Sequence, residues 1–418
     1  MNMLQEPKQD PIPVAVDKGS LQKPLYAHST HSTSALALAD HRAWAWSASI
    51  VYDNRGSLFV VLSQFFCSTM GLFTRVLETS FPEQKMHATQ ILFIRQSITT
   101  VVVGILIAFR SVEHAPWGPW GVRWLLVARG FGGFFGVFGL YYSLAYLDLS
   151  DAIVITFLTP IVTTFACSLI PYLNETFTKT EFFASIFSLF GVVLIARPTS
   201  LFSRDSANTP NDPSTAHSRP APRSLLPAGE IPTATPHQRL IAVLVALLGV
   251  LGASTAFTSI RWIGPRAHAL IVMFYFTLAG SIFSLGSLLL IPSIGGFIWP
   301  HTLSQWGLLL GIGASGFATQ YFLTLGLQIE KASRATNMLY TQMLFALALE
   351  LIVWGTTPGL GSLAGSGCIL GSVLWVGMKK AERANIAKVR AVDEEVGLMN
   401  GKVEGEEEEE GEEGIMHE

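Results

Sequence analysis

The hydrophobic positions of this chain fall into ten long blocks, at 57–77, 88–109, 123–147, 150–172, 180–196, 239–260, 266–291, 303–327, 332–354 and 360–378. A helix needs roughly 20 apolar residues to cross the hydrocarbon core of a bilayer, so each block predicts one span. Five blocks precede a polar break and five follow it. The break, 198–238, carries Pro210, Pro213, Pro220, Pro222, Pro227, Pro232 and Pro236 among many Ser, Thr and Asn residues. Such a segment cannot bury enough apolar surface to order itself and reads as a flexible linker. The polar ends, 1–56 and 379–418, read as disordered for the same reason.

The two sets of blocks echo each other at a constant offset of 180 residues. Gly133 pairs with Gly313, Gly136 with Gly316, Tyr141 with Tyr321, Leu147 with Leu327 and Ala152 with Ala332. Thr156 with Thr336, Phe165 with Phe345 and Gly191 with Gly371 continue the series. An odd number of crossings per half inserts the second half upside down relative to the first. Inverted hydrophobic repeats are the signature of many secondary transporters, whose solute site lies between the halves.

Composition agrees. Half of the residues are hydrophobic and 14% are charged, against about 25% charged in a soluble domain, and mean hydropathy is +0.43. The net charge of −3 reflects an acidic tail from Glu404 to Glu418, and no basic stripe points to nucleic acid. Cys67, Cys167 and Cys368 all lie in apolar blocks and read as small packing residues rather than as a disulfide framework.

Basic residues set the orientation. With the N-terminus inside, cytoplasmic loops hold Arg110, Arg123, Lys179, Arg261, Arg266, Lys331 and Arg334, and Lys379, Lys380 and Arg383 follow the last block. The linker, placed outside, runs against this with Arg197, Arg204, Arg219, Arg223 and Arg239. Both termini are therefore expected in the cytosol, in a multi-pass protein of the plasma membrane or an endomembrane such as ER or Golgi.

An ionisable side chain at the centre of a span costs about 2.5–3.5 kcal/mol on insertion scales, so each one calls for a reason. Arg95 lies inside the second block and Arg129 opens the glycine-rich part of the third. Gln320, Asn337, Tyr340 and Gln342 give the second half a polar line, and Asn337 and Tyr340 share a helical face by their spacing. One reading is a polar cavity in which Arg95 and Arg129 attract an anionic solute. The other has the arginines snorkel to an interface or pair with acids such as Glu78 and Glu350. Pro160 removes a backbone donor in the fourth block, predicting a kink and an exposed carbonyl. Its counterpart across the repeat is Tyr340, and Arg129 is matched by Leu309, so the halves differ where polarity matters. Glycines recur through the third and tenth blocks (Gly130, Gly132, Gly133, Gly136, Gly139; Gly361, Gly365, Gly367, Gly371), where they let helix backbones approach closely.

Soluble-enzyme motifs are not credible here. Gly311-Ile-Gly-Ala-Ser-Gly316 fits GxGxxG but lies inside an apolar span with no βαβ unit around it. No P-loop, HExxH or GxSxG occurs. No cofactor, metal site or catalytic group is expected.

The residues carry a family resemblance. Ile94-Arg-Gln96, Arg129-Gly130, Gly139-Leu-Tyr-Tyr-Ser-Leu144, Phe157-Leu-Thr-Pro160 and Gly191-Val-Val-Leu-Ile-Ala-Arg-Pro198 lie in the first half. Arg266-Ala-His268, Gly326-Leu-Gln328, Glu330-Lys-Ala332, Arg334-Ala335, Asn337, Tyr340, Gln342 and Trp354-Gly-Thr356 lie in the second. Both halves resemble EamA domains of the drug/metabolite transporter superfamily, and in particular the G branch of solute carrier family 35 and its fungal relatives. The resemblance implies an all-α integral membrane protein of ten transmembrane helices, built as two inverted five-helix EamA repeats at 57–197 and 239–378. It also implies a central cavity open alternately to either side, but it fixes no solute. The expected function is a secondary-active transporter of a small polar, anionic metabolite. Arg95, Arg129, Gln320, Asn337, Tyr340 and Gln342 would line the cavity, and Pro160 would serve as kink or gate. The partners are the solute and the lipid bilayer, with a homodimer left open. The alternative is a non-transporting membrane adaptor that recruits a partner through its basic-then-acidic tail.

Overall fold

The structure, a computed structural model, describes residues 54–81, 86–144, 146–147, 149–175, 178–196, 236–290, 297–355, 359–379, 382 and 386. The expected N-terminal segment up to residue 53, nearly all of the linker and the acidic tail lie outside the described residues. Ten helices are long and apolar enough to cross a membrane. Numbered 1 to 10 in chain order, these spans are Arg55–Ser80, Ala88–Phe109, Trp120–Leu144, Asp151–Ser168, Lys179–Ala196, His237–Arg266, Ala269–Leu290, Leu303–Ile329, Ala332–Trp354 and Leu360–Lys379. No strand occurs among the described residues. Backbone groups in hydrocarbon must be paired within the protein, and a helix pairs them within itself.

The most extensive packing contacts of the spans recur when the halves are exchanged. Span 3 runs along span 6 as span 1 runs along span 8. Span 3 also meets span 7, as span 8 meets span 2, and span 4 meets span 6 as span 9 meets span 1. Spans 2 and 7 pair with each other, as do spans 4 and 9. Across these self-paired spans, contacts join residues separated by nearly the repeat offset. Thr100 and Ser281 hydroxyls meet at 3.4 Å across 181 positions, and Tyr340 reaches Phe157 across 183. Ser188 and Ser372, 184 apart, meet between spans 5 and 10. Equivalent residues of a two-fold repeat meet only near its axis, so these pairs trace the pseudo-two-fold between inverted halves.

Glycines set how closely the halves approach. A Cβ at Gly132 would lie 2.7 Å from the Gly252 carbonyl oxygen, and one at Gly139 would strike the backbone of Gly249. Spans 3 and 6 therefore touch backbone to backbone, as small residues allow in lipid. At Gly130, one face round, an added Cβ would come within 3.1 Å of the Tyr275 carbonyl oxygen of span 7. At Gly326 one would lie 2.8 Å from the Gly56 carbonyl oxygen, between spans 8 and 1. Gly191 and Gly365 do the same for spans 5 and 10.

Spans 4 and 9 are both broken, at matching places. Span 4 is helical over Leu149–Thr156 and again over Thr159–Ser168. Span 9 is helical over Ala332–Asn337, tightens to a 3-10 turn at Met338–Tyr340 and resumes at Thr341–Trp354. Shifted by 180 residues, one break falls on the other. In span 4 the break falls just before Pro160, which has no N–H to donate to the preceding turn.

Candidate functional site

Arg129 is the largest of the fully buried side chains, at 2% exposure. Its Nη2 donates to Gln320 Oε1 at 2.9 Å, and its guanidinium carbon lies 4.1 Å from the centre of the Phe276 ring. Its Nε has no partner, and no carboxylate pairs with it among the described residues. Gly133 makes this arrangement possible, because a Cβ there would collide with the Phe276 ring and sit 2.9 Å from Arg129 Nη1.

Arg95 is held as sparely. Its Nη1 points at the Met70 sulfur at 3.2 Å, a weak acceptor, and Tyr141 and Cys67 lie within its electrostatic reach. Its aliphatic stem lies against Gly316, where a Cβ would come within 3.1 Å of both Cγ and Cδ. Arg95 nonetheless keeps accessible surface. Gly316 is the middle residue of span 8, and Gln320 is one turn further on. Residues four apart share a helix face with Cβ atoms about 5–6 Å apart. Two arginines from spans 2 and 3 thus converge on one face of span 8 near its middle, each without an ion-pair partner among the described residues.

Acids are present, but at the ends of the spans. Glu350 pairs with Arg75 of span 1, not with Arg95 or Arg129. Arg75 also sits over the Trp354 ring at 4.4 Å. At the opposite end, the segment Glu330–Arg334 gathers several bonds between the halves. Glu181 of span 5 holds Lys331 at 3.0 Å, and Ser57 of span 1 donates to Glu330 at 3.0 Å. Glu175 accepts from Arg261 at 2.7 Å and from the backbone N–H of Ala332 at 3.1 Å, at the N-terminus of the broken helix. Each end of the bundle is bridged by charges, and the uncompensated cations are left between them.

The structure separates the remaining expected residues from this pair. Tyr340 is wholly buried. Its hydroxyl donates to the Phe157 carbonyl at 3.1 Å and its ring stacks on that of Phe157 at 5.7 Å. The other carbonyls at the break are also met. Thr159 Oγ1 donates to Thr156 O at 2.6 Å, Ser254 reaches Thr159 O at 3.3 Å, and Thr164 reaches Pro160 O at 2.8 Å. Asn337, at 1% exposure, accepts from Ser188 Oγ at 3.3 Å and leaves its Nδ2 unpartnered. Pro160, Asn337 and Tyr340 therefore belong to the crossing of the broken spans. Gln342 keeps accessible surface, and Ser68 Oγ donates to its backbone carbonyl at 2.9 Å. Phe276, Met70 and Tyr141, which surround the arginines, are ordinary apolar-span residues in sequence. Tyr141 alone carries a sequence signal, through its repeat counterpart Tyr321 and the motif Gly139–Leu144.

No group of His, Cys, Asp and Glu able to hold a metal ion occurs among the described residues. The sequence profile of the EamA-like transporter family matches residues 54–197 and 240–378. The chain is 38% identical over 338 residues to the probable transport protein YPL264C of Saccharomyces cerevisiae, covering 80% of this chain and 91% of that one. It is 24% identical over 325 residues to solute carrier family 35 member G1 of Homo sapiens, covering 78% and 79% respectively. A solved crystal structure superposes with a TM-score of 0.58 at 16% identity, over 77% of this chain and 95% of that chain, which supports the fold alone.

The hydroxyl of Tyr340 gives a direct test of the broken crossing. Tyr340→Phe keeps the stacked ring but leaves the Phe157 carbonyl unpaired, at a cost of about 1–3 kcal/mol. The thermal midpoint of the purified protein should fall by several degrees, whereas an unchanged midpoint would show that the carbonyl is satisfied otherwise.

Proposed function

This chain belongs to the EamA-like transporter family, and from that premise we propose that it is a secondary-active carrier of a small anionic metabolite working by alternating access. The multi-pass architecture and the transporters among its relatives establish membrane transport of a small solute; the charge of that solute and the mode of carriage are our reading. The observation that carries it is Arg129, a buried cation whose only partners among the described residues are a neutral amide and an aromatic ring. Breaking up a buried ion pair leaves an uncompensated charge and costs about 3–5 kcal/mol, so a site that begins without its carboxylate stands ready for one. An anion within about 4 Å of a guanidinium gains about 4 kcal/mol at an effective dielectric near 20, close to a thousandfold in affinity.

In this reading the anionic group lies on the face of span 8 between Arg95 and Arg129. The amides of Gln320 and Gln342 add directional hydrogen bonds. Pro160, Asn337 and Tyr340 act one layer away, by holding the crossing of the broken spans. Alternation would break and remake the charged contacts between the halves, Arg75–Glu350 at one end and the Glu330–Arg334 cluster at the other. The halves are 57–197 and 239–378, joined by 198–238, with both termini cytosolic. That orientation places the sequon Asn174-Glu-Thr176 inside, so Asn174 should carry no glycan; a glycan there would reverse the topology.

Metabolite profiling of cells lacking the protein, followed by uptake of the leading anions into proteoliposomes, tests the function. Arg95→Ala should reduce uptake at least about thirtyfold at normal expression, the scale of losing one partner of a buried charge contact. A chain truncated after Lys380 should keep its uptake. Unchanged uptake in Arg95→Ala would remove that residue from the site, and lost uptake on truncation would favour the adaptor.

A further inference from the structure

One face of the bundle carries a cluster of arginines and indoles that transport does not use. Spans 2 and 3 are joined by residues 110–119, and spans 6 and 7 by the turn around Arg266–His268, so both connections lie on the same side of the membrane by crossing parity. At this boundary Phe109, Trp117, Trp120 and Trp124 are strongly exposed, Trp120 at 84%. Arg123 lies over the Trp120 ring at 3.7 Å, and its Nε donates to the Gly118 carbonyl at 3.1 Å. Trp124 meets Trp262 edge to face at 4.9 Å. Arg266 is anchored on the Trp262 and Ile263 carbonyls and lies 4.8 Å from the centre of the Tyr172 ring.

The charge of this cluster is not balanced. Arg75, Arg261, Lys331 and Arg334 all find carboxylates, but Arg110, Arg123 and Arg266 pair with none among the described residues. Glu113, in the same connection, is exposed and makes no ion pair. Burial, and then the nearby Arg110 charge, hold the His268 imidazole below the usual histidine range, so the positive charge here belongs to the arginines. Each anchored guanidinium is fixed by the backbone at one edge and keeps terminal nitrogen free at the other.

We propose that this face binds an anionic phospholipid, its headgroup phosphate seated between Arg123 and Arg266 over the Trp124–Trp262 pair. Exposed indoles at span ends settle at the headgroup level of a bilayer, which brings the two guanidinium groups to the depth of the phosphates. Basic residues near an anionic leaflet contribute about 1 kcal/mol each, so two give about a thirtyfold preference over a zwitterionic lipid. Screening by salt should erode that preference.

The test is native mass spectrometry of the full chain in detergent, titrated with phosphatidylglycerol or with phosphatidylcholine of the same acyl chains. The wild type should retain phosphatidylglycerol about thirtyfold more tightly at low salt. The Arg123→Gln, Arg266→Gln double variant should bind the two lipids alike, while Arg123→Lys, Arg266→Lys keeps most of the preference. If the double glutamine variant does not fold, Arg266→Gln alone should lose about fivefold. The proposal is overturned if the wild type shows no preference, if the glutamine variants keep it, or if free inorganic phosphate binds as well as the lipid.

Discussion

Within the hydrocarbon layer no water is at hand for a backbone carbonyl or a guanidinium, and most polar contacts of the ten spans answer that shortage. Where span 4 breaks before Pro160, the loosened carbonyls are taken up by the hydroxyls of Thr159, Tyr340, Ser254 and Thr164, drawn from spans 4, 9 and 6. Glu350, Glu175 and Glu181 bridge the halves near the ends of the bundle. Thr163, Ser333 and Asn337 each leave a buried polar atom unbonded, and Arg129 does so with a charge. That charge is buried beside one amide and one ring, and its Nε has no partner among the described residues. A fold that meets the carbonyls of its broken span with hydroxyls leaves this buried cation without an acid partner among the described residues.

The pseudo-two-fold explains how such an asymmetry arises. An inverted repeat builds the same packing twice, and if the sequences were identical both sides of the axis would carry the same groups. Arg95 and Arg129 come from the first half alone, while Gly316 and Gln320, which receive them, come from the second. In the proposed function, divergence at these positions makes the solute site asymmetric. The same divergence works differently on the axis itself. Pro160 and Tyr340 are repeat counterparts, and because spans 4 and 9 cross there, the phenol of one half mends the break in the other.

Much of the fold was legible in the sequence, since the length of each apolar block and the parity of five per half are set by the bilayer. The ends differ by a few residues for local reasons. Span 6 continues past 260 to Arg266, because Arg261 and Arg266 carry their charge to the boundary while the helix runs on. The polar line of the second half was harder to place. Spacing put Asn337 and Tyr340 on a common helix face, but not which neighbour that face meets, and it meets spans 4 and 5. The partners of Arg129 and Tyr340 lie 191 and 183 residues away, and no local pattern encodes such pairs. One signal was available. Counterparts on self-paired spans face each other across the axis, so the substitution of tyrosine for proline at the repeat offset already marked a contact.

The central claim is that Arg129 is kept for the solute and not for the fold, and the thermal midpoint of ligand-free Arg129→Met measures this most directly. Methionine nearly preserves the length of the side chain while removing a charge that is costly to bury and unmatched by any acid. Replacing buried charges with apolar groups of similar volume is often neutral or stabilising by about 1–4 kcal/mol. The midpoint should equal or exceed that of the wild type, in a protein that no longer transports. A midpoint lower by several degrees would contradict it, showing that the contacts with Gln320 and Phe276 hold the bundle together.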